Sequence, residues 1–412
     1  MAFLYLNYKG NPHRSHSYSA GNTFDQCPKK YFLQKVLGWK EKPNKARFEF
    51  GKAFETALQF YHENNGIGAE QEFMKQWAPH AANQELQYTR VEKDWANCLQ
   101  IGLEWLKLYK LRQPQLPIPM GGQTIWQREF AKEVFPNDPN YGGIEDKGKL
   151  DIVAYVDPNH PMLPKLSWKP EYGPLRPVIV DIKTAGQDFP EAYGIAAYDT
   201  QLRRYSWLSG IRDVALLWFV KKGRSLQKGS SVTLLEDTPI FRAGQEAVIA
   251  QVDGEDVLLV ANDYMIEVME KEQGKKKDKN GKEITEQTKE AKARRDAWLD
   301  TNGVRVPSDI VTKQRLQFNA GYVPIESANE AGEIAERQIV NIVNEWAKYE
   351  KSKGKCGFPN TFGIRYPHDD KADPYFRAFI LNDETFRNSN FIKSDDELVD
   401  EMFAEDTENE AQ

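Results

Sequence analysis

Cysteine is scarce in these 412 residues. Cys27, Cys98 and Cys356 form no CxxC pair, and their odd number fits neither a disulfide framework nor a zinc ribbon, so reduced thiols in a cytoplasmic setting are expected. No apolar run reaches membrane-spanning length, and the opening MAFLYLNYKG lacks the charged start and long apolar core of a signal peptide. A soluble chain with no membrane partner is expected. There is no GxxxxGK[ST] loop, so ATP-driven work would need a partner. His13, His16, His62, His80, His160 and His368 show no metal-ligand spacing.

What is present is enough apolar material for a large core: 40% hydrophobic and 12% aromatic residues, in one elaborated domain or two smaller ones. The formal net charge of −6 is unevenly spread, because residues 395–412 hold nine acids and no base, which leaves the rest of the chain at +3. Residues 29–47 carry seven bases, Lys29 and Lys30 among them, against the single acid Glu41. That run reads either as a phosphate-attracting patch or as a solvated helix face. The acidic tail DDELVDEMFAED reads either as a disordered solubilising segment or as a docking element for a protein partner.

Local signals predict a helix over residues 23–38, with Ser19, Asn22 and Thr23 as candidate caps, and a second over 50–63 with Phe50, Phe54, Ala57, Leu58 and Tyr61 in one stripe. More helix follows over 71–111. Strands are expected over 124–134, 148–156 and 178–183, the last two joined by a proline-rich connection. A helix over 198–209, the strand VALLWFV, a strand over 316–323 and an amphipathic helix over 329–349 complete the order of a mixed α/β sheet flanked by helices. Residues 271–295 are dense in charge without apolar periodicity.

In VIVDIKT the period of two puts Asp181 and Lys183 on one face of a strand. In GKLDIVAYV it puts Asp151 with Lys149, Val153 and Tyr155, opposite Leu150, Ile152, Ala154 and Val156. Two carboxylates in apolar surroundings are costly unless a cation joins them. Magnesium, which takes oxygen ligands and needs few from protein, suits Asp151, Asp181 and the carbonyl of Ile182. Lys183 could then neutralise charge developing on a phosphoryl group. Taken alone, an Asp-x-Lys is more often an ion pair at a strand end.

The ordered company changes that weighting. SYSAGNTFDQCPKKYFLQKVLGW, FEFGKAFETALQFYH, GKLDIVAYVD, VIVDIKTAG and YDTQLRRYSWLSG resemble, in order, the motifs of RecB-like nucleases of the PD-(D/E)XK superfamily. The resemblance implies a restriction-endonuclease-like α/β core with helical insertions. The domain organisation expected is a nuclease core in residues 1–225, a charged insertion or subdomain in 226–310, a strand and helix completing the core in 311–390, and an acidic tail in 391–412. The resemblance implies Asp151, Asp181 and Lys183 as catalytic residues, with Gln201 and Tyr205 sharing a helix face that contacts substrate or braces the lysine. Lys29 and Lys30 would bind substrate. Glu55 stands where RecB-like members carry histidine, giving a harder oxygen donor as a third metal ligand beside Asp151 and Asp181, and favouring Mg2+ over Mn2+.

Relatives of the AddB and CRISPR-associated exonuclease kind hold a four-iron cluster on four cysteines, which this chain does not possess, so no iron-sulfur cluster is expected. Cys27 then serves as a small packed hydrophobe, and Tyr366 and Phe376 take the place of the cluster as a clamp. The activity implied is metal-dependent DNA hydrolysis, as an exonuclease in recombination, repair or phage DNA metabolism. The alternative is a DNA-binding or assembly protein that keeps the fold without turnover.

Overall fold

The computed structural model describes residues 2–42, 45–165, 173–189, 194–252, 257–261, 276–277, 283–284, 297, 303–360 and 374–393. Short strands β1 (Tyr5–Leu6), β2 (Pro12–His13) and β3 (Ser15–Ser17) lead into α1 (Tyr18–Gln26). This helix begins before the residue expected, because Ser17 is its cap: the Oγ accepts the Ala20 amide. It also breaks where a continuous helix was expected. Pro28 cannot donate to the preceding turn, so α2 (Pro28–Tyr31) restarts from Cys27 and runs into a π-turn over Phe32–Val36. Cys27 therefore does more than pack, since its Sγ accepts the Lys30 amide and donates to Asn360.

After β4 (Trp39–Glu41), α3 (Ala46–Glu63) carries the expected stripe, and Phe50, Phe54, Ala57 and Leu58 are all fully buried. Each large side chain removed from water in this way contributes roughly 1.5–3 kcal/mol. The helix expected over 71–111 is two helices, α4 (Ala69–Trp77) and α5 (Trp95–Arg112), the latter capped by Asp94. Trp77 and Trp95 lock this corner reciprocally, each indole N–H donating to the other's carbonyl.

The main sheet follows: β5 (Thr124–Glu133), β6 (Glu145–Val156), β7 (Arg176–Ala185), then α6 (Thr200–Ser209) and β8 (Asp213–Val220). A second sheet interrupts the chain, built from β9 (Ser231–Leu234), β10 (Glu246–Val252), β11 (Val257–Ala261), β14 (Val304–Pro307) and β15 (Val311–Thr312). The two-residue strands β12 (Lys276–Lys277) and β13 (Glu283–Ile284) pair with each other. β16 (Arg315–Tyr322), α7 (Ile325–Lys351), α8 (Glu384–Asn390) and β17 (Phe391–Lys393) complete the described chain.

The main sheet runs β16-β8-β7-β6-β3, with β5 on the other edge of β6. β7 and β8 are parallel and the β6–β7 pair is antiparallel. Aromatics of α3 and α5 pack on one face with Ile152, Val180 and Phe219; α6 and Ala328 of α7 cover the other with Val153, Ile179 and Val214. The fold is thus α/β, a mixed central sheet between helical layers, as expected.

The second sheet occupies much of the span read as a charged insertion. Its order is β14-β11-β10-β9-β15, yet the two edge strands are joined by one turn over Ser308–Ile310. A flat sheet of that width would keep its edges further apart than so short a link reaches, so the sheet curls around Val232, Leu234, Ile249, Val260 and Val306. Most of 271–295, the tail from 394 onward, Tyr366 and His368 lie outside the described residues. Phe376 does pack on Cys27, together with Tyr375 and Phe391. β17 pairs with β4 in the same region.

One buried group makes the fold sensitive to acid. His62 on α3 is 1% exposed, its Nε2 2.6 Å from the Tyr109 hydroxyl and its Nδ1 3.2 Å from the Pro119 carbonyl. Burial lowers its pKa from 6.5 to about 4, against the opposing effect of the carbonyl. The unfolded chain therefore takes up a proton below pH 6.5 that the folded chain refuses until about pH 4. Stability falls as pH drops through that window, by about 3 kcal/mol for this group. Denaturant titrations at pH 7.5 and 4.5 should show the loss, and His62→Asn should flatten the pH slope by about 1.4 kcal/mol per unit.

Candidate active site

The edge of β6 that faces β7 has two partners. Glu145, Asp146 and Lys147 pair with β3, and Ile152 to Val156 pair with β7. Residues 148–151 lie between these ladders, and there the sheet opens. On the opposite edge the β5 ladder skips Gln127, whose φ of 51° is unusual for a residue with a side chain. The expected strict alternation also fails here: Leu150 packs with Val153 beneath α6, while Ile152 and Ala154 face the α3 side. Interrupted pairing on both edges lets β6 change phase at Asp151.

Above this opening lies a cleft of about 380 Å³. It gathers Glu55 from α3, Asp151 from β6, Asp181, Ile182 and Lys183 from β7, and Gln201 and Tyr205 from α6. Asp151 takes the place of the missing ladder bond, its Oδ2 accepting the Ile182 amide at 2.8 Å. Lys183 Nζ donates to Gln201 Oε1 at 2.7 Å, and Gln201 Nε2 donates to the Tyr205 hydroxyl at 2.9 Å. The Gln-x-x-x-Tyr pair, expected to contact substrate or to brace the lysine, thus stands in one hydrogen-bonded chain with it.

Asp181 is 1% exposed and its Oδ2 lies 3.1 Å from Lys183 Nζ. Even so, Oδ2 receives no well-directed hydrogen bond among the described residues. Burial pushes this carboxyl up to about 8; Lys183 opposes the rise, while Asp151 and Asp199 add to it. A buried carboxylate oxygen without a well-directed hydrogen bond, beside a second carboxylate, is a place where a hard cation fits. Asp151 and Asp181 would hold it, and an all-oxygen donor set matches magnesium better than softer metals. Among the described residues no group of three His, Cys, Asp or Glu side chains stands ready to hold a metal unaided. Glu55, the expected third ligand, lines the cleft but its carboxylate accepts a hydrogen bond from Gln127.

Lys29 and Lys30 are absent from the cleft wall and lie over the rings of Phe32 and Tyr375. The bases that line it are Lys35, Arg47, Lys52, Lys147 and Lys149 beside Lys183. A sequence signal for these existed: Arg47 and Lys52 flank Gly51 on the helix of Glu55, and Lys147 and Lys149 alternate along the strand that ends at Asp151.

Gly148 sits under Tyr205, and a Cβ there would fall 2.9 Å from both the Tyr205 ring and Leu208. Gly148→Val should displace the ring that orients Gln201 and so loosen Lys183. The expected result is a roughly 10- to 100-fold fall in kcat with about 1–3 kcal/mol lost in stability, read from saturating kinetics and thermal melts.

Comparison with known proteins bears on part of this site. A sequence model of the PD-(D/E)XK nuclease superfamily matches residues 15–160, a span that includes Glu55 and Asp151 and stops before β7. None of the curated proteins matches the chain. Among solved structures, one titled "Crystal structure of SSO0001" is 13% identical, covering 57% of this chain and 77% of its own, with a TM-score of 0.16. In the described residues no helix is long and apolar enough to cross a membrane.

Proposed function

We propose that this chain is a metal-dependent deoxyribonuclease that hydrolyses phosphodiester bonds from DNA ends, with Mg2+ as its cation. The observation that carries the reading is Asp181: a buried carboxylate whose Oδ2 meets the Lys183 ammonium at 3.1 Å without a well-directed hydrogen bond among the described residues, beside Asp151 and with that lysine braced by Gln201 and Tyr205. A divalent cation held by Asp151 and Asp181, with the Ile182 carbonyl as a further ligand, would supply Lewis-acid polarisation of the scissile phosphate and a more acidic water.

The chain's own groups do the rest. Lys183 places its ammonium where negative charge grows on the phosphoryl oxygens, and Gln201 and Tyr205 fix its direction so that no reorganisation is needed at the moment of reaction. Asp151 ties β6 to β7 through the Ile182 amide, which keeps the two carboxylates on one wall. Lys35, Arg47, Lys52, Lys147 and Lys149 attract the phosphate backbone into the cleft. Action from ends, and a place in recombination, repair or phage DNA metabolism, rest on the resemblance to RecB-like nucleases.

The second reading, a DNA-binding or assembly protein without turnover, draws on Glu55, whose carboxylate is engaged by Gln127. The deciding experiment compares linear and circular DNA, single- and double-stranded, with Mg2+ or Mn2+. Loss of linear DNA alone supports the exonuclease, cleavage of circles removes action from ends, and tight binding with no cleavage under either metal supports the second reading.

A further inference from the structure

The cleft has a second pole, away from Lys183. There β3 delivers the first turn of α1, whose residues Ser17 and Ser19 line the wall. The positive end of a helix dipole therefore points into the cavity. Immediately before it, His16 is 2% exposed, lines the same wall, and neither ring nitrogen has a hydrogen-bond partner among the described residues. Its nearest carboxylate, Asp146, lies 3.5 Å from Nδ1 and is already gripped by Arg204 through two hydrogen bonds of 2.5 and 2.6 Å. His13 and Lys35 complete the pole on its open side.

Burial holds the His16 pKa far below its ordinary value, and the positive charges of Arg204, His13 and Lys35 reinforce that. Cationic groups and a helix N-terminus thus converge on a buried imidazole that makes no hydrogen bond among the described residues. An anion with several acceptor oxygens would answer the field and accept from the one ring N–H that the neutral imidazole carries.

We infer that the α1 pole of the cleft is a phosphate subsite, formed by Lys35, His13, His16 and the first turn of α1, which holds a second phosphate of the strand being cut. The identity of the anion rests on the nuclease reading; the existence of an anion site does not. A strand gripped at two phosphates is registered against the Asp181 wall, so this pole would set which bond is presented for hydrolysis.

The test is run without divalent metal on the full chain. Inorganic phosphate is titrated while the His16 ring protons are followed by NMR, assigned by their loss in His16→Asn. The expected result is a saturable shift of that resonance, with about tenfold weaker binding in Lys35→Met. A second arm measures binding of tetrathymidylate bearing a 5′-phosphate, a 3′-phosphate or neither. Tighter binding of one phosphorylated end identifies a terminal phosphate as the occupant, and equal binding of all three with the same loss in Lys35→Met identifies an internal one. A His16 signal that phosphate leaves unmoved, or moves equally in Lys35→Met, overturns the subsite. Failure of magnesium-dependent hydrolysis would remove the nuclease reading and leave the phosphate titration standing.

Discussion

Asp181→Asn should reduce magnesium-dependent DNA hydrolysis by about 10³-fold or more while leaving the melting temperature of the metal-free protein unchanged or higher. The two effects have one cause. The carboxylate is buried, its Oδ2 lacks a well-directed hydrogen bond among the described residues, and burial raises its pKa to about 8. Folding without a cation therefore leaves a group that is costly to ionise, and the sign follows: the carboxyl costs nothing below its unfolded pKa and progressively more as pH rises towards 8. Asparagine keeps the shape and removes that cost, but it cannot serve as an anionic ligand. Activity assays paired with thermal melts in EDTA distinguish this from simple misfolding, which would lower both. Unchanged hydrolysis in Asp181→Asn would remove the residue from the mechanism.

Arg204→Leu should destabilise the fold by roughly 3–5 kcal/mol, read from urea or guanidinium titration. Arg204 is 2% exposed, forks onto Asp146 of β6, and also donates to the Ala331 carbonyl and to Gln338 on α7. Gln338 in turn donates to Asp25 of α1. Arg204 thus ties the strand at the mouth of the cleft to its own helix and to α7, and Gln338 extends the tie to α1. Removing the guanidinium strands a carboxylate that is 0% exposed and whose pKa burial already raises. Asp146→Asn combined with Arg204→Leu should recover part of the loss, because the uncompensated charge is gone. Since Arg204 shares α6 with Gln201 and Tyr205, the single variant should also lose hydrolysis through the lysine brace. A loss below about 1 kcal/mol would show that the network contributes specificity of packing and little stability.

Much of the site was legible because its signals are local. A period of two placed Asp181 and Lys183 together on β7, and a spacing of four placed Gln201 and Tyr205 on one face of α6, where they hydrogen-bond to each other. The apolar stripe of α3 was visible for the same reason. Less visible was the curled second sheet, whose strands are short and whose flanking residues are rich in charge and weaken any alternation. The start of α1 at Ser17 was hidden by better-looking caps further along.

The sequence by itself determined which residues could carry chemistry: two acids and a lysine on adjacent strands, a glutamate on a preceding helix, a Gln and Tyr on a following one. Backbone periodicity is a property of neighbours along the chain, so it can be read without knowing what lies across from it. Tertiary structure alone decided what those residues do to one another. Only pairing in space leaves residues 148–151 of β6 without a strand between β3 and β7, turns Glu55 towards Gln127, and brings Lys183 to Gln201. The same holds for the partners of Arg204, Arg176 and Lys221, which lie 58, 37 and 129 residues away in the chain. It holds also for the bases that line the cleft, Lys35 and Lys149 in place of Lys29 and Lys30. Desolvation and hydrogen bonding depend on distance in space, and the order of residues does not encode that distance until the sheet has formed.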